Sequence, residues 1–156
     1  MTTEPAAPAA GAESAVQFNI RKLYVKDMSF ESPRAPQTFT ENQANPQLDL
    51  QLGTQANALG NDDWEVVLLV NVTAKRGEDT VFLVEVQQAG IFQIRGVPQD
   101  QMALVLGVAC PNVLFPYARQ VVSDATLAGG FPPLVMAPVN FEQLLRAQQE
   151  AQANAH

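Results

Sequence analysis

The chain has 156 residues, enough for one ordinary domain, and carries a formal net charge of −7 with only 16% charged residues. An acidic surplus excludes nucleic acid and anionic membranes as expected partners, because both select clustered Lys and Arg, and it leaves a basic protein as the more natural one. Against 47% hydrophobic residues, so few charges leave little to cover a surface, which points to subunit contacts or an apolar binding surface.

Residues 1–15, MTTEPAAPAAGAESA, are small and polar and are expected to form a disordered tail. They lack the basic region and apolar core of a secretory signal. No apolar stretch approaches the ~20 residues that span a membrane, so a cytoplasmic location is expected. The single cysteine, Cys110, excludes an internal disulfide, fits a reducing compartment and reads as a small buried apolar group.

From residue 16 the chain alternates. Val16, Phe18, Ile20, Tyr24, Met28 and Phe30 share one parity, interrupted by Lys22 and Lys26, and Gln17, Asn19, Arg21, Asp27, Ser29 and Glu31 share the other. This predicts a strand with one face toward a core. Asp27 and Glu31 point the same way on its polar face, where ordinary solvated charge accounts for them. Residues 32–46 hold three prolines and read as a long loop, in which Phe39 is either exposed or a plug into the core. Leu48, Leu50 and Leu52 alternate with Gln47, Asp49 and Gln51, giving a second strand, and Gly60-Asn61-Asp62 supplies turn chemistry. Trp64, Val66, Leu68, Val70, Val72 and Ala74 are the inward parity of a third strand. Arg76-Gly77-Glu78-Asp79 then makes a hairpin turn into a fourth strand over 81–94. There both parities are apolar, Phe82, Val84 and Val86 on one and Val81 and Leu83 on the other, so this strand is expected to be buried on both faces or to meet a partner. Gly90 marks a candidate bulge.

Residues 99–141 carry helical spacing and almost no charge. Met102, Val105, Leu106 and Ala109 fall on one helical face, which Phe115, Ala118, Val121, Val122 and Ala125 continue. Pro111 and Pro116 predict a break or kink, with Pro116 a candidate to open a second helix. Gly129-Gly130 stop the run and Pro132-Pro133 keep it from restarting. Asn140 caps a last helix, with Gln143 three residues on, Val139 and Leu144 at the staple positions, and Phe141, Leu144 and Leu145 as its apolar face. Beyond Arg146 the chain is polar all round and is expected to fray. Strands joined by turns and loops rather than helices make an antiparallel meander. The fold class is therefore α+β, a four-stranded antiparallel sheet with helices packed on one face. The domain spans 16–146, between the tail 1–15 and a flexible tail 147–156.

No catalytic group is apparent. His156 is the last residue, Cys110 has neither a second cysteine nor a nearby histidine, and no glycine run has phosphate-loop or dinucleotide spacing. Asp62-Asp63 and Glu78-Asp79 sit at turns, where Asp bonds backbone, and Asn71-Val72-Thr73 matches a glycosylation acceptor only in mid-strand. No enzyme, cofactor or metal is expected. The apolar excess fits self-association alone or a groove for unfolded polypeptide, with Phe39, Tyr117 and Phe131 as candidate lining.

Three blocks, YVKDMSFESPRAPQTF, VFLVEVQQAGIFQI and CPNVLFPYARQVVSDATLAGGFPPLVMAPVNF, occur in that order. Together they resemble the SecB family of protein-export chaperones over roughly residues 16–145. The resemblance implies a chaperone without ATPase activity that binds unfolded preproteins, keeps them translocation-competent and delivers them to the motor SecA. It implies a homotetramer, a dimer of dimers, with Val84, Val86 and Gln88 affecting the oligomer interface. It implies that Asp27, Glu31, Leu83 and Glu85 receive the basic, zinc-binding tail of SecA, the zinc belonging to the partner. The sequence departs from the family pattern in ENQAN around Gln43, where the family often has tryptophan. It departs again at Val84 and Ala89, where cysteine and glycine occur, and in a tail whose one acid is Glu150. Two other readings stand beside this one: an oligomeric α+β protein binding a small apolar ligand, and an acidic adaptor subunit that ignores unfolded chains.

Overall fold

Four long strands follow one another in a computed structural model that describes residues 15–41 and 44–154: β1 (Gln17–Glu31), β2 (Gln47–Gly60), β3 (Asp63–Arg76) and β4 (Asp79–Arg95). The expectations for residues 1–14, Gln43 and His156 lie outside the described residues. The strands form one sheet in the order β1-β4-β3-β2, every neighbouring pair antiparallel. At the β2–β3 turn Gly60, Asn61 and Asp62 all take positive φ (91°, 55° and 64°), a geometry for which Gly, Asn and Asp carry the least steric cost.

The inward parity of β3 is as the alternation predicts, with Val66, Leu68, Val70, Val72 and Ala74 at most 1% exposed. On β4 the same face holds Phe82, Val84, Val86, Gln88, Phe92 and Ile94, all buried. The double apolar parity of β4 has a local cause. Val81 is skipped between the pairs Ala74↔Phe82 and Lys75↔Thr80, so it is a bulge residue and is buried with the core. Beyond Leu83 the outer face turns polar at Glu85 and Gln87. Gly90 stays in register with Leu23 and Val66 and is no bulge. Its need is space, since a Cβ there would lie 2.8 Å from the Phe92 ring and 3.1 Å from Leu23.

β1 corrects the single alternation expected of it. Its register with β4 shifts between Ile20 and Lys22 and again between Val25 and Asp27. Each shift inserts one residue, and each reverses which parity faces the helices. The inward set is therefore Phe18 and Ile20, then Leu23 and Val25, then Met28 and Phe30. Tyr24 goes to the outer face.

A 3₁₀ turn (Gln99–Gln101), α2 (Met102–Leu104), a π turn (Val105–Ala109) and α3 (Cys110–Ala128) run on as one helical rod over the sheet. A one-turn helix, α1 (Gln37–Thr40), lies in the loop after β1. Pro116 sits inside α3 and opens nothing. The accommodation is at Pro111, which lacks an N–H for the carbonyl four residues back, and the π turn falls immediately before it. The π turn also rotates the apolar face by one residue. Ala109 is exposed, and Cys110, Leu114, Phe115, Ala118, Val122 and Ala125 are buried in its place. Contrary to expectation, the helical stretch Gln99–Ala128, 30 residues with a window of mean hydropathy 1.4, is by length and composition apolar enough to cross a membrane. In this structure it covers the sheet.

α4 (Phe141–Asn154) starts where expected, with Asn140 Oδ1 accepting from the Gln143 N–H at 3.1 Å. It continues to Asn154, through the segment expected to fray. Between α3 and α4, residues 131–140 form neither helix nor strand and are clipped back by the fully buried Thr126. Its Oγ1 accepts from the Leu134 N–H (2.9 Å) and donates to the Ser123 carbonyl (3.0 Å), and its carbonyl accepts from the Phe131 N–H (3.0 Å). Thr126→Val keeps the shape but orphans the Leu134 N–H. It is expected to cost about 1–3 kcal/mol in urea unfolding, and an unchanged midpoint would show that the clip holds nothing.

Candidate functional site: an apolar trough and an acidic sheet face

Two surfaces lie on opposite sides of the sheet. On the helix side an open trough runs between β2 and the segment after α3. Its wider part, about 380 Å³, is bounded by Phe39, Pro46, Leu48, Phe82, Phe131 and Leu134. A narrower part of about 180 Å³ continues it past Leu48, Leu50, Val72, Leu134, Val135 and Met136. Leu48 and Leu134 border both parts. Phe39, Leu48 and Leu50 are 45%, 49% and 43% exposed, so the apolar surface is open to a ligand.

One end is built from four phenylalanines drawn from four parts of the chain. Phe131 lies 4.9 Å from Phe82, 5.2 Å from Phe39 and 6.3 Å from Phe30, and Phe30 stacks 6.0 Å from Phe82, centroid to centroid. Phe39 is carried by α1, and Arg76 from the end of β3 fixes that loop. Its Nε donates to the Ala44 carbonyl (2.6 Å) and its Nη1 to Thr38 Oγ1 (3.1 Å). Arg34 adds ion pairs to Glu41 (3.2 Å) and Asp79 (3.5 Å). The structure thus brings together two of the three aromatics singled out in the sequence, Phe39 and Phe131. Tyr117 stands half-exposed on α3, away from the trough lining. Phe30, Phe82 and the leucines of β2 read in sequence only as core-face residues. Nothing local distinguishes the end of such a face from its middle.

The outer face carries the acidic set. Its rows are Glu31–Leu83–Thr73, Ser29–Glu85–Asn71 and Asp27–Gln87–Leu69, so Asp27, Glu31, Leu83 and Glu85 form one patch. Among the described residues no ion pair joins Asp27, Glu31 or Glu85, and all three are exposed. Acids toward the other end of the same face are neutralised. Asp63 pairs with Arg21 (2.9 Å), Asp62 with Arg95 (3.0 Å) and Glu65 with Lys26 (2.8 Å). Tyr24 also donates to Glu65. Lys26 first and Tyr24 second hold the Glu65 carboxyl below its usual range, while burial and then Glu65 push Tyr24 up to about 12. Sign is thus sorted along one sheet face, and the uncompensated part can take a cation.

Val84, Val86 and Gln88 are 0%, 1% and 3% exposed and face the helix layer within this chain. Cys110 is fully buried, and burial pushes its thiol up from 9.0 to about 12. A raised acid pKa means that folding favours the neutral thiol. The stability tied to Cys110 is whole below pH 9 and is lost as pH rises toward 12. A thiol reagent at pH 8 is therefore expected to label Cys110 only after unfolding, and rapid labelling of the folded protein would contradict this packing.

The family model described as preprotein translocase subunit SecB matches residues 11–152. Over 135 residues the chain is 53% identical to the protein-export protein SecB of Thiobacillus denitrificans, covering 86% of this chain and 88% of that one. Over 138 residues it is 54% identical to the protein of the same name from Dechloromonas aromatica, covering 88% and 90%. Among solved structures the fold is similar to a Mycobacterium tuberculosis SecB-like chaperone in complex with an antitoxin peptide. The TM-score is 0.66 at 18% identity, covering 78% of this chain and 90% of that one.

Proposed function

The chain belongs to the SecB family, and from that membership together with the open apolar trough we propose an ATP-independent chaperone. It binds unfolded precursors of exported proteins, keeps them translocation-competent in the cytoplasm and delivers them to the SecA motor. The trough carries this reading. It is long, apolar and lined by rings at one end, and it runs along the edge strand β2, where an extended segment meets unpaired backbone. A folded protein cannot lay a bare apolar strand there. Binding the unfolded chain alone withdraws it from folding by mass action, so no nucleotide, cofactor or catalytic group is called for.

Delivery belongs to the opposite face. The uncompensated patch of Asp27, Glu31 and Glu85, with Leu83 between them, suits a basic segment such as the SecA tail, whose zinc stays with the partner. Exposed Phe18, Ile20, Leu104 and Leu127 suit subunit contacts in a homotetramer. Val84 and Val86 then influence assembly through the seat of α3, and Gln88 through its bond to β1, rather than by touching another subunit. The acidic net charge speaks against nucleic acid and against membrane insertion.

Leu50→Asp, which places a charge in the narrow part of the trough, tests the reading in a titration of labelled, denatured preprotein. A loss of roughly tenfold or more in affinity is expected from a folded variant. Undiminished binding would remove the trough as the client site.

A further inference from the structure

We propose that Gln88 is a positioning residue that fixes the register of the second half of β1, and through it both faces of the molecule. Gln88 is 97% buried in a layer of valines, leucines and phenylalanines, an unfavourable place for an amide. Its Nε2 donates to the Tyr24 carbonyl at 3.1 Å, and among the described residues its Oε1 has no partner. Half-satisfied burial is poor core construction, since an apolar residue of the same shape would leave no orphan acceptor. The bond it does make is specifically placed. Val25 is the residue opposite Gln88, and the register shift that inserts Lys26 follows directly.

What depends on that shift is large. After it, Asp27 and Glu31 point outward beside Glu85, and Met28 and Phe30 point to the helix side. A strand continuing without the extra residue would send Asp27 and Glu31 toward the helices and Phe30 to solvent. Holding the Tyr24 carbonyl fixes the strand at the last residues before the insertion, so the acidic patch and the phenylalanine cluster are set by one hydrogen bond. The functional meaning rests on the proposed roles of the two faces; the register claim does not.

Native-state hydrogen exchange on the full chain tests it, comparing wild type with Gln88→Met and with Gln88→Leu, whose different shape guards against a packing failure of the first. The amides of 27–31 are expected to exchange at least ~10-fold faster in both variants. Those of 17–20 on the same strand stay unchanged, and the urea midpoint does not fall. Selective loss at 27–31 without loss of global stability is something a purely space-filling role would not produce. Unchanged exchange at 27–31, or an equal rise along the whole of β1, overturns the proposal. Neither client nor basic partner enters this readout, so it fails or stands apart from the chaperone reading.

Discussion

Alanine at Gly129 is expected to weaken binding of unfolded chain by roughly tenfold and to lower stability by about 1–3 kcal/mol. The backbone does not demand glycine there, because φ is −76°. The demand comes from Phe30. A Cβ on Gly129 would lie 2.2 Å from the Phe30 Cζ and 2.5 Å from its Cε1, well inside any tolerable contact. The ring cannot simply retreat, since Phe82 and Phe131 flank it. It must push into the cluster that closes the wide end of the trough. Phe30→Leu, shorter at that end, is expected to restore most of the affinity in the double variant. Peptide titration and urea unfolding of the four proteins of this cycle decide it. A Gly129→Ala protein that binds like wild type, or a double variant no better than Gly129→Ala, would mean that Phe30 does not shape the site.

Reversing Glu85 to Lys is expected to cost at least ~10-fold in affinity for SecA, chiefly through association rate and salt dependence, while leaving unfolded-chain binding intact. Glu85 is exposed on the outer face, in register between Ser29 and Asn71 and one row from both Asp27 and Leu83. The trough is on the other side of the sheet. Asp27→Lys should behave alike, since among the described residues neither carboxylate has an ion-pair partner to be orphaned by the change. Surface titration of SecA and fluorescence titration of a denatured client, on the same preparation, separate the two activities. Parallel loss of both would contradict the assignment of one task to each face.

Much of the architecture was legible because the physics is local. Alternation in β3, the glycine stop after α3 and the Asn140 cap are each set by residues within a few positions, and each is where the pattern predicts. β1 was only half legible. Lys22 and Lys26 marked where its alternation failed, but a misplaced lysine does not say that an inserted residue has reversed the parity, so Tyr24 was assigned to the wrong face. Pro111 and Pro116 announced a disturbance in the helix, whereas its form, one π turn ahead of Pro111 with Pro116 left inside, depends on packing against the sheet. The trough was the least legible part. Phe30, Leu48, Phe82 and Phe131 are far apart in sequence; Phe131 stood out as candidate lining, but the other three read only as core-face residues. Only the order β1-β4-β3-β2 and the path of residues 131–137 bring them to one end of the sheet. The acidic patch was visible as Asp27 and Glu31 on a polar face, but its bareness was not, because the lysines and arginines that neutralise the neighbouring acids come from other strands.

The most direct measurement is a refolding assay. A slow-folding preprotein is diluted from denaturant with and without this protein, no nucleotide present, and the mixture is sized by chromatography with light scattering. Delayed refolding together with co-elution of the client and a tetramer is the predicted result. Unchanged refolding of several chemically different clients would contradict the chaperone account.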